Sequence, residues 1–128
     1  MQEKPIFNFE KLDVWQKSKE LASEIYAITR LFPSEERYAL SSQMQRSAVS
    51  IVSNIAEGSS RTSLKEQLRF TEIAYGSLLE LYSQLLIAKD IGYLNELSIE
   101  SMQDKFQHIS NKLGALRNSQ QKRINIQP

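Results

Sequence analysis

Five polar side chains, Arg46, Ser50, Asn54, Glu57 and Glu80, have the types and spacing that could do chemistry. The first four recur three and four residues apart within RSAVSIVSNIAEGSSR, residues 46–61, so a helix sets them on one stripe. Gln43 and Arg61 extend that stripe at either end, and Glu80 belongs to a second row with Arg69, Glu72 and Gln84. Two carboxylates held face to face, Glu57 and Glu80, could bind a cation or divide acid and base roles. The surroundings argue against both. Di-metal sites in helix bundles use Glu-x-x-His pairs, and the single histidine, His108, has no such spacing. The serines have no evident histidine base, and no phosphate-binding loop or glycine-rich dinucleotide motif is present. With no cysteine there is no thiol nucleophile and no thiolate metal site. The expectation is a non-enzymatic protein without cofactor, metal or small-molecule substrate. The stripe then reads as a partly buried network that selects which helix faces which. Removing Glu57 alone would cost on the order of 3–5 kcal/mol if its ion pair were fully buried.

Four elements must position these groups, and apolar spacing marks each of them. Helices are expected over about 9–31, 38–58, 63–91 and 96–120. In the first, Val14, Ser18, Leu21, Ala22, Ile25, Ile28 and Thr29 share a face, with Trp15 and Tyr26 at its edge. Pro33 ends it. Leu40, Met44, Ser47, Ala48, Ile51 and Ile55 form the buried face of the second, with Gly58 as its stop. Ser63 with Glu66 three residues later reads as a capping box for the third, and Gly92 as its left-handed end. Ile99, Met102, Phe106, Ile109, Leu113 and Leu116 make the seam of the fourth. Within the third helix, Gly76 reads as a point of close approach to Ser47 and Ala48. Short connections make the economical fold an all-α, antiparallel up-down-up-down four-helix bundle, one domain over 1–128.

The third helix carries a second apolar stripe. Phe70, Ile73, Ala74, Ser77, Leu81, Leu85 and Ala88 suffice for a core face, yet Leu64, Leu68, Tyr75, Leu79, Tyr82 and Leu86 lie nearly opposite. A helix apolar on two sides is buried on two sides. Leu68, Tyr75, Leu79, Tyr82 and Leu86 are therefore the expected contact with another copy of the chain. Charge adds a second candidate surface. The net charge is +1, but Lys105, Lys112, Arg117, Lys122 and Arg123 stand against Asp104 alone after residue 100, leaving −3 before it. These five cations are the possible nucleic-acid contacts. If they gather on one face of an assembly, RNA binding is favoured; if dispersed, they are solvated helix surface. Phe7 and Tyr93 are the loop aromatics that could stack on bases, and covering the bundle ends is the simpler use for both. No signal-peptide run or membrane-length apolar segment is seen, so the expected setting is cytoplasmic, without membrane association.

The residues LDVWQKSKELASEIY (12–26), FPSEERYALSSQMQRSAVSIVSNIAEGSSR (32–61) and EIAYGSLLELYSQLLIAKDIGYL (72–94) cover most of the first three helices. SIVSNIAEG followed by AYGSLLEL is the strongest signature among them. In these segments the chain resembles the four-helix-bundle proteins encoded in intervening sequences of bacterial 23S ribosomal RNA genes. The fourth helix matches in pattern only, and Ala39 stands where relatives tend to have Gly. The resemblance implies a small non-enzymatic bundle that forms a homo-oligomer, a ring of five. A related branch comprises accessory proteins of diversity-generating retroelements, basic barrels that bind nucleic acid and a reverse transcriptase. The near-neutral charge of this chain departs from that branch and leaves any nucleic-acid binding weak.

Overall fold

A computed structural model describes residues 4–126 and contains four α-helices: α1 (Asp13–Thr29), α2 (Leu40–Ser59), α3 (Leu64–Ile91) and α4 (Glu96–Ile126). The start of the first expected helix is a separate 3₁₀ turn, Asn8–Lys11, because Leu12 is extended (φ −70°, ψ 124°). Glu10 holds that turn: its carboxylate accepts from the backbone N–H groups of Ile6 and Phe7 at 2.8 and 2.9 Å. Such local bonds compete with helix continuation. A second 3₁₀ turn, Ser34–Glu36, follows Pro33, and Ala39 (φ −123°, ψ −108°) sets the entry to α2. The Ser63 hydroxyl caps α3 by accepting from Glu66 N–H at 3.1 Å, while Glu66 turns to Arg69 instead of closing the reciprocal bond. Gly92 (φ +101°) ends α3 in the left-handed region, where a side chain is strained. α4 runs to Ile126, beyond the end expected near 120.

Cross-helix contacts give the directions. Gln45 near the start of α2 donates to Thr29 at the end of α1 (3.0 Å). Ser50 meets Ser77 midway along α2 and α3, while Gly58 meets Phe70 nearer the turn. Lys89 pairs with Glu96, and Tyr75 reaches Ser110 further along α4. On the closing side, Glu24 binds Lys105 and Asp13 binds His108. For α2 with α3, α3 with α4 and α4 with α1, rising numbers on one helix meet falling numbers on the other, which leaves α1 and α2 opposed as well. The bundle is antiparallel, up-down-up-down. The α1 backbone lies close to α2 and α4 and not to α3, so α1 sits diagonally across the core from α3.

The core is the meeting of the expected faces. Leu21, Ile25, Met44, Ile51, Leu81, Leu85, Met102, Ile109 and Leu113 are all but fully buried. Each contributes about 1.5–3 kcal/mol relative to an exposed side chain. The core face of α3 is rotated from expectation. Thr71, Leu78 and Gln84 are buried, whereas Ile73 is 38% exposed and Ser77 half-buried. Leu116, expected to close the α4 seam, is 37% exposed and lines an opening beside the start of α1.

Gly58 corrects the reading of α2. It is not a stop: α2 continues through it to Ser59, and its φ is not positive. A Cβ there would lie 3.0 Å from the Cβ of Phe70. The glycine lets α2 and α3 approach closely just before the turn. Gly76, expected to serve that purpose, is exposed, with nothing within 4 Å of a Cβ built on it.

Candidate functional site

The polar stripe divides in two. Its inner part is a hydroxyl and amide chain: Ser50 and Ser77 Oγ atoms lie 2.8 Å apart, and Asn54 Nδ2 donates to Ser50 O (2.8 Å) and Ser50 Oγ (3.1 Å). All three residues are half-buried, and the serine pair ties α2 to α3. Its outer part is solvated. Glu57 pairs with Arg61, not with Arg46, at 3.6 Å, and their side chains are 57% and 45% exposed. Arg61 also lies 4.7 Å from the Phe70 ring centroid. Arg46 is exposed beside a shallow groove with Tyr26 and Val49. Glu80 is exposed and accepts from Gln84 Nε2 at 3.2 Å. The expected single network of Arg46, Ser50, Asn54, Glu57 and Glu80 is therefore corrected to Ser50–Asn54–Ser77. The rotation of α3 drew Ser77 from the core face to the edge that meets Ser50, and Arg46, Glu57 and Glu80 stay in water, where they need no buried partner.

That geometry separates the two carboxylates. Glu57 lies seven residues beyond Ser50 toward one end, and Glu80 three beyond Ser77 toward the other. At 1.5 Å per residue they are about 15 Å apart along the bundle axis. They cannot share a substrate proton or a cation. Among the described residues no group of three His, Asp or Glu is placed to hold a metal ion.

The second stripe of α3 also divides. Tyr75 donates to or accepts from Ser110 Oγ (3.3 Å) beneath the Arg117 guanidinium, 4.6 Å from its ring. Tyr82 packs edge-on to Phe106 at 5.0 Å. With Leu68 these rings are half-buried, the tyrosines against α4. Leu79 and Leu86 stay outside, 56% and 38% exposed, joined by Ile73 and Ile87. Gly76 lies among them.

The cations do not form one patch on the single chain. At 100° per residue Lys105, Lys112 and Arg123 fall on one edge of α4, which the Lys105–Glu24 bond shows to face α1. Arg117 falls on the edge facing α3, and Lys122 elsewhere. Glu24 raises the pKa of Lys105 through their hydrogen bond. Lys112, Lys122 and Arg123 are exposed. Of the loop aromatics, Tyr93 packs on Phe32 (5.1 Å), where burial and then Glu36 and Glu35 raise its phenol. Phe7 stacks on Phe9, which meets Trp15 edge-on, and stays 62% exposed.

Two cross-helix clasps have no signal in the sequence, since spacing along one helix says nothing about a partner 81 or 95 residues away. These are Glu24 with Lys105 and Asp13 with His108. The His108 hydrogen bond holds the Asp13 carboxyl below its ordinary value. Among the described residues no helix is long and apolar enough to cross a membrane.

With this geometry in place, comparison with known proteins is informative. No curated protein matches the chain in sequence. The fold is similar to that of a protein of unknown function from the S23 ribosomal protein family of Bacteroides thetaiotaomicron, solved by crystallography. The TM-score is 0.75 at 24% identity, over 82% of this chain and 95% of that one. A family model described as 23S rRNA-intervening sequence protein matches residues 10–115, from the first 3₁₀ turn to the point where α4 leaves the core. The chain belongs to the 23S rRNA-intervening sequence protein family.

Proposed function

We propose that this protein is a non-enzymatic homo-oligomer, a ring of five, acting in the cytoplasm as an assembly and interaction protein. The observation that carries the reading is the outer face of α3. Leu79, Leu86, Ile73 and Ile87 are each at least 38% exposed on one helix, although the core is already complete. Leu79 and Leu86, seven residues apart, share one stripe, and Ile87 and Ile73 lie beyond it across Glu72 and Gly76; exposed apolar surface of this kind marks a contact site. Gly76 supports the same reading. A glycine inside an exposed helix costs about 1 kcal/mol relative to Ala, and among the described residues no neighbour requires it. A second helix backbone approaching this face would.

The test is the mass of the protein in solution. Leu79→Glu with Leu86→Glu should yield a smaller species by light scattering with helicity unchanged. A wild type that sediments as a monomer at micromolar concentration defeats the proposal. A second reading, weak RNA binding in partnership with a nucleic-acid-processing enzyme such as a reverse transcriptase, rests on the exposed Lys112, Lys122 and Arg123. Co-purification from native cells with and without nuclease separates the two.

A further inference from the structure

Two opposite sides of the bundle carry unlike surfaces at one height. α1 lies diagonally across from α3, so the α1–α2 side and the α3–α4 side face away from each other. On the α3–α4 side, Leu79, Tyr82 and Phe106 line an open groove with Asp104 exposed on its rim. On the α1–α2 side, Tyr26 and Val49 are 36% and 42% exposed, and Arg46 stands beside them. The heights follow from contacts inside the chain. Ser50 against Ser77 sets Arg46 about level with Leu81, and Tyr75 against Ser110 sets Leu81 about level with Asp104. By the same contacts Val49 is level with Leu78 and Gln107.

Their charges are opposite. At 100° per residue Lys19, Tyr26 and Arg30 share the edge of α1 that meets α2, so Lys19, Arg30 and Arg46 make that side basic. Glu100 and Asp104, four residues apart on the exposed surface of α4, make the other side acidic at the level of Leu79. The cations beside them are engaged, Lys89 with Glu96 and Lys105 with Glu24. Among the described residues, Arg30, Arg46, Glu100 and Asp104 enter no ion pair.

We propose that the α1–α2 side of one copy docks on the α3–α4 side of the next, with Tyr26 and Val49 against the groove and Arg46 paired to the partner's Asp104. Like sides do not meet: two α3–α4 sides face to face would oppose Glu100 and Asp104 to the same acids, and two α1–α2 sides would oppose cations. A contact between two different sides repeats from copy to copy and closes into a ring, whereas a like-to-like contact stops at a dimer. Copies turned about an axis parallel to the helices keep one height, and that is the match these two surfaces show. The inference rests on the oligomer reading and adds to it the surface that covers Leu79.

The chain has no cysteine, so introduced thiols report the contact without background. Val49→Cys and Gln107→Cys place them at exposed, level positions on the two sides. Treated with a short bismaleimide, the two variants should cross-link to each other when mixed and neither to itself alone. A chain carrying both substitutions should give a ladder of covalent multimers. No cross-link in the mixture, or equal cross-linking within either variant alone, overturns the docking. Charge exchange gives a second readout. Arg46→Asp alone and Asp104→Arg alone should each raise the concentration of half-assembly at least about tenfold by light scattering. Both in one chain should bring it back, because every junction regains opposite charges. Assembly unchanged in the single variants, or not regained in the double, overturns the proposal. A wild type that is monomeric at micromolar concentration defeats the oligomer reading along with this one; an assembled wild type whose variants fail these tests overturns the docking alone.

Discussion

Gly58→Ala and Gly114→Ala make the same chemical change in two α-helices, and the structure gives them opposite signs. At Gly114 nothing lies within 4 Å of the added Cβ. Only the backbone preference of α4 acts, and Ala is favoured by about 1 kcal/mol. At Gly58 the added Cβ sits 3.0 Å from the Cβ of Phe70. Carbon atoms are most stable at about 3.5–4.0 Å, so the helices must part by roughly 0.5 Å or more. Phe70 cannot relieve this by changing rotamer, because its Cβ is fixed to the α3 backbone. Overpacking of this kind costs about 1–3 kcal/mol. Against it stands a helix preference of at most about 1 kcal/mol, reduced here because Gly58 lies in the last turn of α2. The net expectation is a loss of about 1 kcal/mol, and a gap of about 2 kcal/mol between the variants. With an unfolding entropy of about 2.1 cal/mol/K per residue, each kcal/mol moves Tm by about 4 °C in a chain of this length. Circular dichroism during heating and urea unfolding reads this directly, with chain concentration held equal because self-association also stabilises. If Gly58→Ala is as stabilising as Gly114→Ala, close approach is not the reason for the glycine.

Gly76→Ala should make α3 intrinsically more stable by about 1 kcal/mol, yet lower the oligomer mass measured by light scattering at a given concentration. Glu57→Ala should cost at most about 1 kcal/mol in urea unfolding, since its pair with Arg61 is a surface pair, and a loss of several kcal/mol would restore the buried-network reading. Asp13 has a folded pKa below its ordinary 3.8, so the stability it contributes is present above that pH and is lost as pH falls through the lowered value. Asp13→Asn should therefore flatten the acid limb of stability below its ordinary pKa of 3.8, and an unchanged limb would mean the His108 contact does not form in solution. Lys122→Glu with Arg123→Glu should weaken any RNA binding and its salt dependence while leaving oligomer mass unchanged; tight, salt-insensitive binding to one RNA sequence would favour the RNA-accessory reading.

The helices and their inward faces were legible in the sequence, because each depends on neighbours three and four residues away. Leu21 and Ile25, Met44 and Ile51, and Ile109 and Leu113 announce their burial by period alone. Ser63 and Gly92 mark the ends of α3 because capping and left-handed geometry are local. What the sequence left open was rotation about the helix axes. Ile73 and Leu78 are both credible core residues by period; only packing against α2 and α4 put Leu78 inside and Ile73 out. That rotation joined Ser77 to Ser50, left Glu57, Arg46 and Glu80 in water, and split the second stripe into tyrosines against α4 and leucines outside. Gly58 and Gly76 make the same point. A glycine within a helix is visible in the sequence, but whether its missing Cβ makes room for Phe70 or for nothing depends on an atom of another helix. The clasps of Asp13 with His108 and Glu24 with Lys105 join residues from opposite ends of the chain. Local periodicity carries no information about such distances. They are decided when four helices of unequal length close into one bundle and the longest, α4, outlasts the others.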